Sequence, residues 1–144
     1  MTLDLTGGRA LRSAVMPIFQ RVDSLDAPEL APYRTMRRQA EHRRQGIFVA
    51  EGEKVVRRLL GSGWRILSML MEERWIAPLE EQIAVRREAF PVYLAPRAAL
   101  SALAGYPLFQ GVLAVGRVPP PSALSDLLAR AARPRLFVAA DGVT

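Results

Sequence analysis

Cysteine is absent from the 144 residues of this chain. That absence excludes disulfide frameworks, thiolate zinc sites, iron–sulfur clusters and cysteine nucleophiles, and it permits a reducing compartment, so a cytoplasmic location is the expectation. Histidine occurs once, at His42, in the middle of an arginine run. Neither a Ser-His-Asp triad nor a histidine-based metal site can be assembled from it, and it is expected at the surface. The most apolar stretches, around 66–71 and 136–140, fall far short of the ~20 residues a membrane-spanning helix requires. No membrane partner is expected. The early basic residues Arg9 and Arg12 are followed by a segment broken by Ser13 and Pro17, which lacks the apolar region of a signal peptide. No phosphate loop and no G-x-G-x-x-G fingerprint occurs, and Gly61-Ser62-Gly63 closes a helix where a nucleotide cradle would open one. Catalytic, cofactor-binding and metal-binding residues are therefore assigned to none of these positions.

What is present is a globular composition: 50% hydrophobic and 24% charged residues, enough for one compact domain with appendages and too few for two complete domains. The charge is unevenly spread. Of 20 basic and 14 acidic residues, the stretch 34–58 holds Arg34, Arg37, Arg38, Arg43, Arg44, Lys54, Arg57 and Arg58 against Glu41, Glu51 and Glu53. Nearly the whole excess sits in that sixth of the chain, the pattern of a polyanion footprint. These eight residues are the candidate RNA-binding set. Lys54 is the sole lysine, so the abundance of arginine carries less weight than its clustering.

Residues 1–24 show no sustained period and read as an extension, flexible or loosely docked. After Pro32 the composition turns helical up to the stop at Gly46, with Tyr33, Met36 and Ala40 on one stripe and Arg34, Arg37, Arg38, Glu41 and Arg44 facing solvent. A short apolar run at 47–50 then gives way to Glu51-Gly52 and a helix with Val55, Val56, Leu59 and Leu60 on one face. Gly52 is expected to allow a tight strand-to-helix turn, and Glu51 to complement the helix N-terminus. Strands are predicted at 66–71, 92–94 and 112–115, with helices around 79–87 and 97–103. This alternation predicts an α/β domain with a sheet sandwiched between helices and parallel pairings; an antiparallel edge is left open. The adjacent acids Glu72-Glu73 and Glu80-Glu81 read as solvated charge. Trp64, Trp75, Tyr93 and Phe109, beside predicted strands, are expected in the core more than against bases. Pro119-Pro120-Pro121 forms a stiff spacer before a helix at 123–132 with Leu124, Leu127 and Leu128 as its apolar stripe. Residues 136–140 then form a strand of the fully buried type, and nothing downstream covers it. The chain is therefore expected to be the N-terminal part of a longer protein.

Residues 42–71, with Gly46, Phe48, Glu51, Gly52 and the Val55-Val56/Leu59-Leu60 helix, resemble the opening of the substrate-binding domain of the SpoU/TrmH family of RNA ribose 2′-O-methyltransferases. The run 109–114, Phe-Gln-Gly-Val-Leu-Ala, resembles the strand that closes that domain. Residues 136–144 look like the start of the methyltransferase domain, of whose opening motif Asp141, Gly142, Val143 and Thr144 are present. The resemblance implies four segments: an extension (1–24), an RNA substrate-binding domain (25–118), a proline-rich linker and helix (119–134), and the truncated start of a knotted SPOUT-type methyltransferase domain (135–144). It implies an α/β/α substrate-binding domain similar to kink-turn-binding ribosomal proteins. In the full-length protein it implies S-adenosylmethionine as cofactor, ribosomal or transfer RNA as partner, and dimerisation through the C-terminal domain. It implies no activity for these 144 residues alone. The competing readings from the residues are a stand-alone, non-enzymatic RNA-binding module and an α/β interaction domain without RNA.

Overall fold

The computed structural model describes residues 17–134, 136 and 138. Five strands form one mixed sheet: β1 (Ile18–Arg21), β2 (Ile47–Glu51), β3 (Ile66–Met71), β4 (Pro91–Leu94) and β5 (Val112–Arg117), in the order β1-β4-β3-β5-β2. β1, β4 and β3 run parallel, whereas β5 is antiparallel to both β3 and β2. The antiparallel strand is thus the interior β5, and the edge strand β2 runs in the same direction as β1, β3 and β4. β1 extends the sheet into the segment expected to be an extension; four exposed residues give no period to detect. The features expected in residues 1–16 and 139–144, with Asp141 and Gly142, lie outside the described residues, as does most of the strand expected at 136–140.

Side-chain alternation along the strands builds two cores, one on each face of the sheet. Val92, Met69, Ala114 and Ala50 stand in one transverse row, and Leu94, Met71 and Val112 in the next. Both rows lie under Val56, Leu59 and Leu60 of α3 (Glu53–Leu60) and Leu79 and Ile83 of α4 (Ile76–Ala84). On the opposite face Tyr93, Leu70 and Leu113 pack beneath Leu100, Leu103 and Ala104 of α5 (Arg97–Ala104) and beneath Leu30 and Tyr33. The three-layer α/β/α arrangement expected from the sequence is therefore present. A register shift between Ile66 and Ser68 places Ile66 and Met69, three residues apart, on one face. The same bulge turns Ser68 toward the other face, where its hydroxyl meets the buried Tyr33 hydroxyl at 2.7 Å.

The expected single helix at 33–45 is two pieces, α1 (Ala31–Arg34) and α2 (Gln39–Gln45). His42, expected at the surface, is buried, and its Nε2 lies 3.0 Å from the Thr35 hydroxyl; Ala40, expected on the apolar stripe, is exposed. The break at 35–38 rotates α2 relative to a continuous helix, which exchanges these positions. Gly46 ends α2 at φ 63°, the left-handed stop its sequence predicts. α6 (Leu124–Arg130) follows the prolines, with Leu124 and Leu127 exposed. After α3 the chain is fastened by Arg86, a residue the sequence did not single out. Its guanidinium donates to the carbonyls of Leu60, Ser62 and Trp64 and pairs with Glu88. Burial works to raise the Glu88 pKa, but the bonds from Arg86 and from the Ile66 N–H hold it below the ordinary carboxylate value.

Phe48 and Gly116 are directly opposed across β2 and β5, and the Phe48 ring occupies the space where a side chain at 116 would project. A Cβ there would stand 2.4 Å from Phe48 Cζ. Gly116→Ala is expected to cost about 1–3 kcal/mol through overpacking, read as a lower urea midpoint at unchanged slope. In the Phe48→Ala background the same substitution should cost far less, so a double-mutant cycle with no coupling would refute the assignment.

Candidate nucleic-acid interface

The eight candidate residues divide when the chain folds. Arg34 is not solvent-facing as expected: its Nη1 donates to the carbonyls of Leu25 and Ala27 and holds the turn before α1. Arg57 is likewise taken up, by Glu53 at 2.8 Å and by the Pro78 carbonyl and the Gln82 side chain, which tie α3 to α4. Arg37, Arg38, Arg43 and Arg44 are exposed on the 35–45 segment, and Lys54 and Arg58 are exposed on α3. Only Arg38 among these six forms an ion pair within the described residues, a 3.7 Å contact with Glu41. Since α2 runs into β2 and α3 leaves it, the edge of the sheet is flanked by free cationic side chains.

The two glycine motifs, far apart in sequence, meet at one end of the sheet. Gly52 donates to the Val112 carbonyl, and the Gln110 side-chain oxygen accepts the Glu53 N–H at 2.6 Å. Gln110 thus caps α3, the role expected of Glu51. Glu51 instead accepts the Tyr106 hydroxyl at 2.5 Å, and the Arg37 guanidinium lies 5.6 Å from the centre of that tyrosine ring. Gly52 and Gly111 both have positive φ, 86° and 63°. A Cβ at Gly111 would collide with the Glu72 carboxylate, and one at Gly52 with Gln110. Both positions therefore require glycine twice over.

Glu72, expected as solvated charge, is largely covered, and its carboxylate accepts Arg74 at 3.1 Å and Arg97 at 2.9 Å. The Gln110 carbonyl accepts both Arg74 and the Trp75 indole N–H. Phe109, expected in the core, is 87% exposed, whereas Tyr93 is buried as expected and Trp64 is 48% exposed. Phe109 is thereby an aromatic face available for stacking beside Gln110. Tyr106, Arg74 and Arg97 were not singled out by the sequence reading. The signal that could have found their neighbourhood is the pair of glycines after Glu51 and Gln110, each marking a close backbone approach.

Among the described residues no group of histidine, aspartate and glutamate side chains is placed to hold a metal ion. Among them, too, no helix is long and apolar enough to cross a membrane.

No protein-family profile matches the sequence, and no curated protein sequence matches it. Solved structures do. The AdoMet-bound rRNA methyltransferase from Sinorhizobium meliloti is 24% identical over 75% of this chain and 40% of its own, with a TM-score of 0.57. A second structure of an rRNA methyltransferase from Sinorhizobium meliloti is 24% identical, with 69% and 37% of the two chains covered and a TM-score of 0.53. An RNA 2′-O ribose methyltransferase is 22% identical over 74% of this chain and 39% of its own, at a TM-score of 0.53. At these identities the likeness is one of fold. The chain spans about two fifths of the length of the chains it matches.

Burial, followed by the Glu51 hydrogen bond, pushes the Tyr106 hydroxyl from its ordinary value of 10.0 up to about 12. The fold therefore favours the protonated phenol. Its stabilising contribution is whole below pH 10 and disappears as pH rises through about 12, because the unfolded chain ionises first. An absorbance titration of tyrosinate should show a component near pH 12 that Tyr106→Phe removes. A Tyr106 component at 10 would contradict the Glu51 contact.

Proposed function

We propose that residues 25–118 are the RNA substrate-binding domain of a SpoU/TrmH-type RNA ribose 2′-O-methyltransferase acting on ribosomal or transfer RNA. Residues 119–134 then serve as linker and helix, and 135–144 begin a knotted methyltransferase domain through which the full protein dimerises. The observation that carries this reading is the set of six exposed cationic side chains flanking β2, on a fold shared with solved RNA methyltransferases. The α/β/α domain would hold RNA as kink-turn-binding ribosomal proteins do, and the location would be cytoplasmic. S-adenosylmethionine supplies the methyl group when bound to the following domain. No described residue is assigned to the cofactor or to the chemical step.

The chemistry of the described residues is electrostatic positioning. Arg37, Arg38, Arg43, Arg44 and Arg58 offer planar forks to phosphate oxygens, and Lys54 adds a point charge. Neutralising RNA phosphates releases condensed counterions, which favours binding without reading sequence. Arg34 and Arg57, already bonded to the protein, support the fold instead.

With about four phosphates neutralised, log affinity for an unstructured RNA should fall with log salt at a slope of roughly −3, at ~0.7 per phosphate. Reversing Arg37, Arg38, Arg43 and Arg44 to Glu should lower affinity in fluorescence anisotropy at least tenfold with the thermal midpoint unchanged. Arg34→Gln should do the opposite, lowering the midpoint and sparing affinity. Undiminished binding by the fourfold variant would sink the assignment.

A further inference from the structure

A second polar feature lies away from α2, at the ends of the parallel strands. β3 is followed by α4, which packs on one face of the sheet, and neighbouring β4 is followed by α5, which packs on the other. The chain thus parts in opposite directions at the ends of β3 and β4, which opens a crevice outside their carboxyl ends, the place where open α/β sheets bind ligands. The crevice here has a volume of about 550 Å³, and β1 forms its third side. That volume is within the ~300–1,000 Å³ range of small-ligand sites.

Its polar lining is Arg21, Asp23, Glu72, Glu73, Arg74 and Arg97. The carboxylates orient the arginines. One oxygen of Glu72 accepts both Arg74 Nη2 and Arg97 Nε, so those two guanidinium groups stand side by side. Glu73 holds Arg21 Nη2 at 2.5 Å. Each arginine is anchored through one nitrogen, and its other N–H groups form no hydrogen bond within the described residues. Arg74 is further fixed against the Trp75 ring, 5.4 Å from its centre. Three oriented forks on a concave wall match a tetrahedral oxyanion, because anchoring lowers the entropy lost when each fork engages it. Asp23 is the carboxylate in the lining without an ion-pair partner among the described residues, and it penalises a second negative charge. The crevice is therefore suited to a phosphodiester, with one charge per phosphate, over a free phosphate dianion.

We propose that this crevice is a second RNA contact that takes one phosphodiester of a single-stranded segment on Arg21, Arg74 and Arg97. This rests on the RNA-binding reading above and adds a site remote in sequence from residues 34–58. The test is fluorescence anisotropy of the full chain with an unstructured RNA decamer at several salt concentrations, using Arg21→Gln and Arg21→Gln/Arg97→Gln, with thermal midpoints as the folding control. The single variant guards against a folding defect, since the Arg21 side chain is largely exposed and among the described residues pairs only with Glu73. The double variant should lose about tenfold in affinity and flatten the salt slope by roughly 0.7, the share of one phosphate. Adenosine 5′-monophosphate should compete poorly with the decamer, and better in Asp23→Asn. Unchanged affinity and slope in both variants would overturn the crevice while leaving the α2 assignment standing, provided the fourfold Glu variant still loses binding. Loss of binding in neither set would bring down both. Stoichiometric displacement of the decamer by the monophosphate from the wild-type chain would overturn the phosphodiester assignment in favour of a free-nucleotide site.

Discussion

The fold depends on β5 running antiparallel between β3 and β2. Its alternating side chains reach both cores: Val112 and Ala114 on the α3–α4 side, Leu113 and Val115 on the α5 side. A strand bordered on both sides and covered on both faces must be apolar at every position, and Val112 to Val115 satisfies this. At its far end Gly116 leaves room for Phe48. At its near end Gly111 admits the Glu72 carboxylate, and Gln110 reaches α3. Misplacing this strand would therefore undo both hydrophobic layers and the helix cap together.

Arginine does two different jobs in this molecule, and the distinction is one of neighbours. Arg34, Arg57, Arg86 and Arg117 donate to main-chain carbonyls at turns and helix ends. A planar fork can serve two or three such carbonyls at once. Arg37, Arg38, Arg43 and Arg44 are exposed to water, with only the 3.7 Å contact of Arg38 to Glu41 as an ion pair among the described residues. Arg21, Arg74 and Arg97 are intermediate, each steadied by a carboxylate with part of its fork uncommitted. The ends of the parallel strands and the edge at β2 thus present arginine in two ways, oriented by carboxylates in the first and exposed to water in the second.

The local organisation was legible because it is written at short range. The short apolar runs at 47–50, 66–71 and 112–115 and the helical face of α3 became the elements expected of them, and Gly46 stopped α2 as its position implied. The same short-range logic failed where side chains answered to distant partners. His42 was expected among solvent-facing arginines, yet a break of four residues turned it inward toward Thr35. Phe109 was expected in the core because it adjoins a strand, but the turn before Gly111 leaves it outside. Arg34 and Arg57 belonged by composition to the phosphate-binding group and by packing to the scaffold.

The sequence alone determined that strands alternate with helices, that positive charge concentrates in about one sixth of the chain, and that Gly52 marks a tight backbone position. Periodicity, charge and turn chemistry are properties of a few consecutive residues. Tertiary structure alone decided the strand order, the antiparallel placement of β5, the meeting of Glu51 with Tyr106 and of Gln110 with Glu53, and the convergence of Arg21, Arg74 and Arg97 on one crevice. Those partners are separated by tens of residues, and only burial of both sheet faces, which sets the stacking order of the elements, brings them within hydrogen-bonding reach.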